Sequence, residues 1–575
     1  KVCANASVFH WPLAYPQVFA QGGFDCVLGN PPWERIKLQE EEFFATRSTF
    51  VKEARNKAER AQRIQWLSEG MLAKHLHPEI PHPEHECMAE VRVYNEFVTA
   101  KRTAEAASAF MHVNDDEGGR YALTGVGDVN TYALFSETIL QITAESGRSG
   151  FIVPTGIATD DSTKAFFGHI SQNGRLASLY DFENRDAIFP GVHRSYKFCL
   201  LTIGQAEEAE FAFFLTQPHQ LADDSRRFTL TPEEFRLINP NTLTCPVFRS
   251  QKDAELTKKL YRAAPVLINE TKDNGNPWGI SFMRMLDMSN DSHLFKDEPG
   301  IGRVPLYEAK MIHQFDHRWA TYEGDSARDV SIEEKAKPDY TVTPRYWVNE
   351  DEVAERLTKY DRGSNLVWEW TRDWLMGWRD ICRATDERTV IASVAPLVGT
   401  GDTLLLMFPE VSNRARLACL LADQCSLVHD FVARQKVGGT HLKYHMKKQI
   451  VNLAPDQYSD HDLEFIRGRV LKLTYTSEDL SGWASDLGYT GEPFAFDPER
   501  RAVLRAELDA YYAKLYGLTR DELRYILDPA DVMGEDYPSE TFRVLKNKEM
   551  GLYGEYRTQR LVLEAWDKLE AGELH

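Results

Sequence analysis

Residues 24–28 (Phe-Asp-Cys-Val-Leu) form an apolar run of strand length, and Gly29-Asn30-Pro31-Pro32-Trp33 follows directly. Two successive prolines supply no N–H to a sheet ladder, so the chain has to leave the sheet there. The run reads as a short buried strand. Such a strand needs neighbouring strands beside it and helices over it, which constrains the fold more than any other stretch.

The flanking sequence supplies both. Residues 34–112 are rich in Glu, Lys, Arg, Ala and Gln, poor in Gly, and read as helices. Within them, 46–67 carries Arg47, Lys52, Arg55, Lys57, Arg60 and Arg63 against Glu53 and Glu59. A solvated helix face is preferred there over a phosphate-facing one. From Tyr121 the texture changes. Asp128 is placed to cap a helix whose Tyr132, Phe135, Ile139 and Ile142 share a face. Residues 145–150 (ESGRSG) end that helix, and 151–154 reads as a buried strand. A helix over 162–173 and strands over 176–181 and 196–203 continue an α/β rhythm.

After about Thr216 the order loosens into a mixed region with short β-like runs at 305–312, 389–394 and 403–408. A helix over 414–434 then precedes Gly438-Gly439. The remainder is helical. Asp497-Pro498 opens a helix with Leu504, Leu508, Tyr511 or Tyr512, and Leu515 on one face, and Gly517 closes it. Thr519 and Glu522 form a capping box for the next. The boundaries expected are 1–33, 34–120, 121–215, 216–455 and 456–575.

Composition sets the outer bounds. The chain has 575 residues, 43% of them hydrophobic, enough for about three to five domains. No run approaches the ~18 apolar residues of a membrane span. Eight cysteines (3, 26, 87, 199, 245, 382, 419, 425) are scattered without a CxxC, which fits a reducing cytoplasm better than a disulfide scaffold. Net charge is −20, from 87 acidic against 67 basic residues. That excludes a generic polyanion binder but leaves room for a local basic cleft. Lys1 opens the chain, and 1–24 has no signal-peptide zones, so a piece of something longer is expected.

Asn30-Pro31-Pro32-Trp33 also suits one kind of chemistry. An exocyclic amine of a flipped-out base has two hydrogens and a poorly available lone pair. Two acceptors, the Asn30 side-chain oxygen and the Pro31 carbonyl, can take both hydrogens and turn the nitrogen into a nucleophile. An aromatic at Trp33 can stack on the base, worth ~1–3 kcal/mol. An ordinary strand-ending turn is the plainer alternative. Residues 24–33 resemble the catalytic motif of amino-group DNA methyltransferases of the TaqI-like class. They are similar too to the larger type IIG, BREX-type and DISARM-type relatives. Residues 128–135 (DVNTYALF), 150–155 (GFIVPT) and 187–203 (AIFPGVHRSYKFCLLTI) follow in that family's order. The 34–120 insertion departs from its shortest members.

The resemblance implies an α/β chain. It would hold part of a Rossmann-like class I methyltransferase domain with a helical insertion, then a mixed α/β target-recognition domain and a C-terminal helical region. It implies an adenine-specific DNA methyltransferase of a restriction-modification or phage-defence system. S-adenosyl-L-methionine is the implied donor, double-stranded DNA the partner, and other defence-system subunits are further expected partners. Asn30, Pro31, Pro32 and Trp33 become the catalytic loop, Trp33 and Phe189 the stacking pair, and Asn30 and Pro32 the donor-facing contacts. The donor's glycine-rich turn and ribose carboxylate are not recognisable in this chain. An upstream cofactor-binding half is therefore expected on the same or a partner chain. The alternative is a non-catalytic DNA-recognition or scaffold subunit.

Residues 426–453 resemble a recurrent piece of target-recognition domains. Arg434, Lys436, Lys443, Lys447 and Lys448 are the expected phosphate contacts, against the alternative of a solvated basic turn. Three further patterns are set aside. Glu308-Ala-Lys310 could be half of a nuclease metal site, but E-x-K is common by chance. His75, His77, His82, His85 and Cys87 match no standard zinc spacing, so no metal is expected. Trp368, Trp370, Trp374 and Trp378 recur at helical spacing and read as core packing.

Overall fold

The computed structural model describes residues 9–83, 85–113 and 115–574. Cys3 and the first part of the expected 1–33 segment lie outside them. The chain divides into two compact units. The first runs to Pro218 and takes in Thr229–Pro232 and Thr242–Cys245; the second comprises the rest.

The first unit is a mixed α/β layer. Its strands are β1 (Phe24–Gly29), β2 (Thr143–Pro154), β3 (Leu176–Glu183), β4 (Lys197–Ile203), β5 (Ala209–Leu215) and β6 (Phe228–Leu230), in the spatial order β1-β2-β4-β3-β5-β6. β1 runs parallel to β2, and β3 parallel to β5. β4 is antiparallel to both β2 and β3. The carboxyl ends of β1, β2 and β3 and the start of β4 thus share one end of the sheet. Phe151, Val153, Leu179, Cys199, Leu201 and Ile203 are buried along the central strands.

β1 corrects an expectation. It is the edge strand, and no strand pairs on its outer side among the described residues. Most of it is exposed, with Leu28 at 80%. Hydropathy alone reads such a run as buried, because it cannot tell a central strand from an edge. β2 departs too. The 145–150 stretch is no turn but part of the strand, which bulges between Thr143 and Arg148 opposite Phe24 and Cys26. Gly147 permits this, since a Cβ there would lie 2.6 Å from the Phe24 carbonyl.

Between β1 and β2 stand the helices. α1 (Glu40–Ala45), α2 (Thr49–Lys52), α3 (Lys57–Ser68), α4 (Leu72–Leu76) and α5 (Met88–Met111) enclose their own small core of Phe43, Phe44, Val51, Leu67, Leu72 and Phe97. On α3 and its neighbours, Arg60 pairs with Glu41, Arg63 with Glu59, and Arg47 with Glu96. α6 (Thr131–Ile142) buries Tyr132, Ile139 and Ile142 but leaves Phe135 exposed. Its N-cap is Asn130, so Asp128 does not cap it. α7 (Lys164–Gln172) follows β2 and buries Phe166, Phe167 and Ile170.

The second unit holds four small sheets. β7 (Ser281–Met283), β14 (Trp374–Arg379), β15 (Ala392–Pro396) and β17 (Leu404–Phe408) form one of four strands, in the order β15-β14-β17-β7. β8 (Arg303–Tyr307) lies between β11 (Tyr346–Asn349) and β16 (Gly399–Thr400). β9 (Ala320–Glu323) with β10 (Ser326–Asp329), and β12 (Thr358–Tyr360) with β13 (Leu366–Glu369), are hairpins. The expected single helix over 414–434 is two, α8 (Arg416–Cys425) and α9 (Leu427–Arg434). They break at Ser426, whose side chain caps α9 by accepting from the His429 N–H. The C-terminal helices, including α10 (Pro498–Leu515), belong to this same unit. Tyr512 on α10 donates to the Cys419 carbonyl at 2.7 Å, and Tyr516 donates to Asp423 at 2.9 Å. Trp374 and Trp378 are core residues, on a strand rather than a helix.

Candidate active site

The loop after β1 is held by the first turn of α6. The Thr131 hydroxyl donates to the Pro32 carbonyl at 2.7 Å and accepts from the Glu34 N–H at 2.9 Å. The Thr131 N–H donates to the Glu34 carbonyl, and Arg35 bridges to Asn130. Pro31 is buried and Asn30 exposed. With Pro32's carbonyl engaged and Pro31 wedged inward, Asn30 is presented at the strand end, and its side chain has no hydrogen-bond partner among the described residues. The Trp33 indole N–H donates to the Ile152 carbonyl at 3.4 Å, which sets the half-buried ring beside the carboxyl end of β2.

Phe189 comes to the same end of the sheet from another direction. It lies in the connection between β3 and β4, half-buried, with its ring edge-on to Phe198 at 5.0 Å. Phe198 pairs in register with Pro154, the last residue of β2. Trp33 is thus held at the carboxyl end of β2 and Phe189 at the start of the neighbouring β4, so two residues 156 positions apart in sequence come to the same end of the sheet.

Three residues here escaped the sequence reading. Thr131 clamps the loop; its place at the start of a helix was legible, its partner was not. Tyr132 is buried, and burial first, then the nearby Asp160 carboxylate and Cys199, push its phenol up to about 12. Burial likewise raises Asp160. Asn184, just after β3, is fully buried beneath the Phe189 loop.

The five basic residues expected to meet phosphates divide. Arg434 is buried, and its guanidinium donates to Asp430 and to the carbonyls of Ala384, Asp386, Glu387 and Thr541. Lys436 donates to the Ile238 carbonyl at 2.8 Å and to Asn239, and burial holds its pKa well below the usual lysine value. Lys447 is fully buried against His429, and burial lowers it to about 7. These three charges are committed inside the fold, which corrects the expectation for them. Lys443 and Lys448 reach solvent, paired with Asp380 and Glu270.

The patterns set aside have local explanations. Glu308 follows β8, caps a short turn, accepts from the Tyr322 hydroxyl at 2.5 Å and faces Lys310 at 3.5 Å. His75 stacks on Trp66, His77 meets Glu79, and His82 meets the His77 carbonyl. Among the described residues no group of three or more His, Cys, Asp or Glu is gathered as a metal would need.

Residues 1–64, which include the 30–33 loop, match the family model of the Eco57I restriction-modification methylase. No curated protein matches the chain. Among solved structures, it is similar to the type IIG restriction endonuclease BpuSI at 13% identity and a TM-score of 0.24, covering 70% of this chain and 50% of that one. It is similar to the type IIL restriction-modification enzyme MmeI, solved in complex with DNA, at 9% identity and a TM-score of 0.35, covering 78% and 55%. A third is a modification subunit of a putative type I restriction enzyme from Vibrio vulnificus YJ016, at 10% identity and a TM-score of 0.18, covering 39% and 55%. The chain spans about half the length of these structures.

Proposed function

We propose that this chain is the C-terminal part of an adenine-specific DNA methyltransferase in a restriction-modification or phage-defence system, acting in the cytoplasm on double-stranded DNA. The sheet order and the antiparallel β4 support a Rossmann-like class I core. The observation that carries the reading is the exposed, unengaged Asn30 amide at the end of β1, with Trp33 held at the carboxyl end of β2 and Phe189 at the start of β4, the same end of the sheet. The Eco57I-type match over 1–64 supports it further.

In this reading S-adenosyl-L-methionine supplies the methyl group when bound. Asn30 and Pro32 face it, but the glycine turn and ribose carboxylate that grip such a nucleoside are not recognisable beside the loop. We assign them to an upstream half, on the same or a partner chain, that pairs along the free edge of β1. The residues of this chain handle the base. Asn30 Oδ1 and the Pro31 carbonyl accept the two amine hydrogens, and Trp33 and Phe189 sandwich the ring. The second unit reads sequence. Among the described residues no helix is long and apolar enough to cross a membrane.

The test is methyl transfer by the chain together with its upstream half, followed by mass analysis of the DNA bases. N6-methyladenine is expected. Unmodified DNA would favour the non-catalytic recognition subunit, and methylcytosine would refute the adenine assignment.

A further inference from the structure

The connection between β3 and β4 is short of secondary structure and largely exposed, yet one fully buried side chain runs through it. Asn184 Oδ1 accepts from the Phe189 N–H at 2.9 Å. Asn184 Nδ2 donates to the Phe189 carbonyl at 3.0 Å and to the Val192 carbonyl at 2.8 Å. The Asn184 backbone N–H donates to the Tyr196 carbonyl at 2.9 Å, and the Ala187 N–H donates back to the Asn184 carbonyl. Every polar atom of this side chain is spent on the backbone of the loop that carries Phe189. Ala187 sits at φ +55°, a left-handed conformation that a non-glycine residue holds only when its surroundings impose it.

The amide supplies one acceptor and two donors at once across this gap, where a Ser or Thr hydroxyl has a single donor. Asp could accept from the Phe189 N–H but would face two carbonyls with a negative charge. Leu would leave the Phe189 N–H and the Val192 carbonyl without the amide's bonds, while the Phe189 carbonyl would keep only the Val192 N–H. Phe189 itself has few means of holding its place: it is half-buried and touches Phe198 edge-on. From these contacts we infer that Asn184 is a positioning residue. It fixes the backbone on both sides of Phe189, so that the ring is in place for the flipped base before DNA arrives. This rests on the reading of Phe189 as a stacking residue given above. Preorganisation of this kind acts on turnover, because a ring displaced by about 1 Å loses its stacking geometry while phosphate contacts elsewhere persist.

The experiment uses the complete methyltransferase and a duplex of its target with 2-aminopurine at the methylated position, a base that brightens when unstacked. Phe189→Ala should lower kcat by about tenfold and brighten the complex, as one stacking partner is lost. Asn184→Ala should reproduce both effects, leaving KM for DNA within about threefold. In the double variant the second change should add nothing, since a residue that acts only through Phe189 has nothing left to position. Asn184→Asp, an isostere without the two donors, should behave like Asn184→Ala. A merely structural role predicts otherwise: multiplicative losses in the double variant, unchanged brightness per folded molecule, and rescue of turnover at lower temperature. Any of these three would overturn the inference while leaving the stacking role intact. A normal Phe189→Ala enzyme would overturn the stacking role and the inference with it.

Discussion

Trp33 donates its indole N–H to the carbonyl of Ile152 across 119 positions of sequence. That single bond joins the loop after one strand to the body of the next. It takes up the polar edge of the indole, so in the proposed mechanism stacking on a flat partner would use the ring's face.

Asn30→Ala in the complete enzyme should abolish methyl transfer, by 100-fold or more, while DNA affinity stays within about twofold. In the proposed mechanism the amide acts where the amine becomes nucleophilic and meets no phosphate. Single-turnover methylation alongside a binding titration decides it, and near-normal rates would remove Asn30 from the mechanism.

Trp33→Ala should lose turnover strongly and affinity modestly, with an unchanged slope of log affinity against log salt, because stacking neutralises no phosphate. Trp33→Phe should recover most of the rate. A flattened salt slope would place Trp33 against the backbone instead.

Lys443 and Lys448 are the two solvent-facing members of the basic set. If both meet phosphates, replacing both with Ala should flatten the salt slope by up to ~1.8 and weaken binding alike on all sequences. Arg434→Ala should instead lower stability by ~3–5 kcal/mol, since it leaves Asp430 buried without its partner. Urea unfolding separates the two outcomes.

Lys447 gives a pH signature. Its folded-state value, about 7, lies below the unfolded value of 10.5, so the unfolded chain binds the extra proton between them. Stability from this group is therefore fully present above 10.5 and is lost as pH falls towards 7. Relative to a Lys447→Met variant, the wild type should gain stability from pH 7 to 8.5, at up to ~1.4 kcal/mol per pH unit. Unfolding midpoints for both proteins at the two pH values measure it, and a constant difference would mean that the ammonium is solvated in the fold.

The 575-residue chain alone should show no micromolar binding of S-adenosylmethionine by calorimetry, and binding should appear when the upstream half is supplied. Tight binding to the chain alone would locate a complete donor site within it.

The turn at Asn30 was legible because proline chemistry is local: no tertiary context can give Pro31 or Pro32 an N–H. The placement of Trp33 and Phe189 at one sheet end follows from strand order, which periodicity does not carry. Lys447 and Arg434 were misread for a related reason. A charged residue reads as surface from sequence, and only the fold shows the carbonyls of Ala384, Asp386, Glu387 and Thr541 converging on one guanidinium. Asn184 carried no sequence signal, since a buried amide is indistinguishable from an exposed one until its partners are known.

The open flank of β1 has a practical side. Its outward N–H and C=O groups repeat at strand spacing next to Leu28, and such a row accepts any extended peptide of suitable register. If the proposed upstream half covers this row, material produced without it will find substitutes, including other copies of itself, and concentrated stocks will report adhesion rather than biology. Joint expression with that proposed half is then the route to a well-behaved sample.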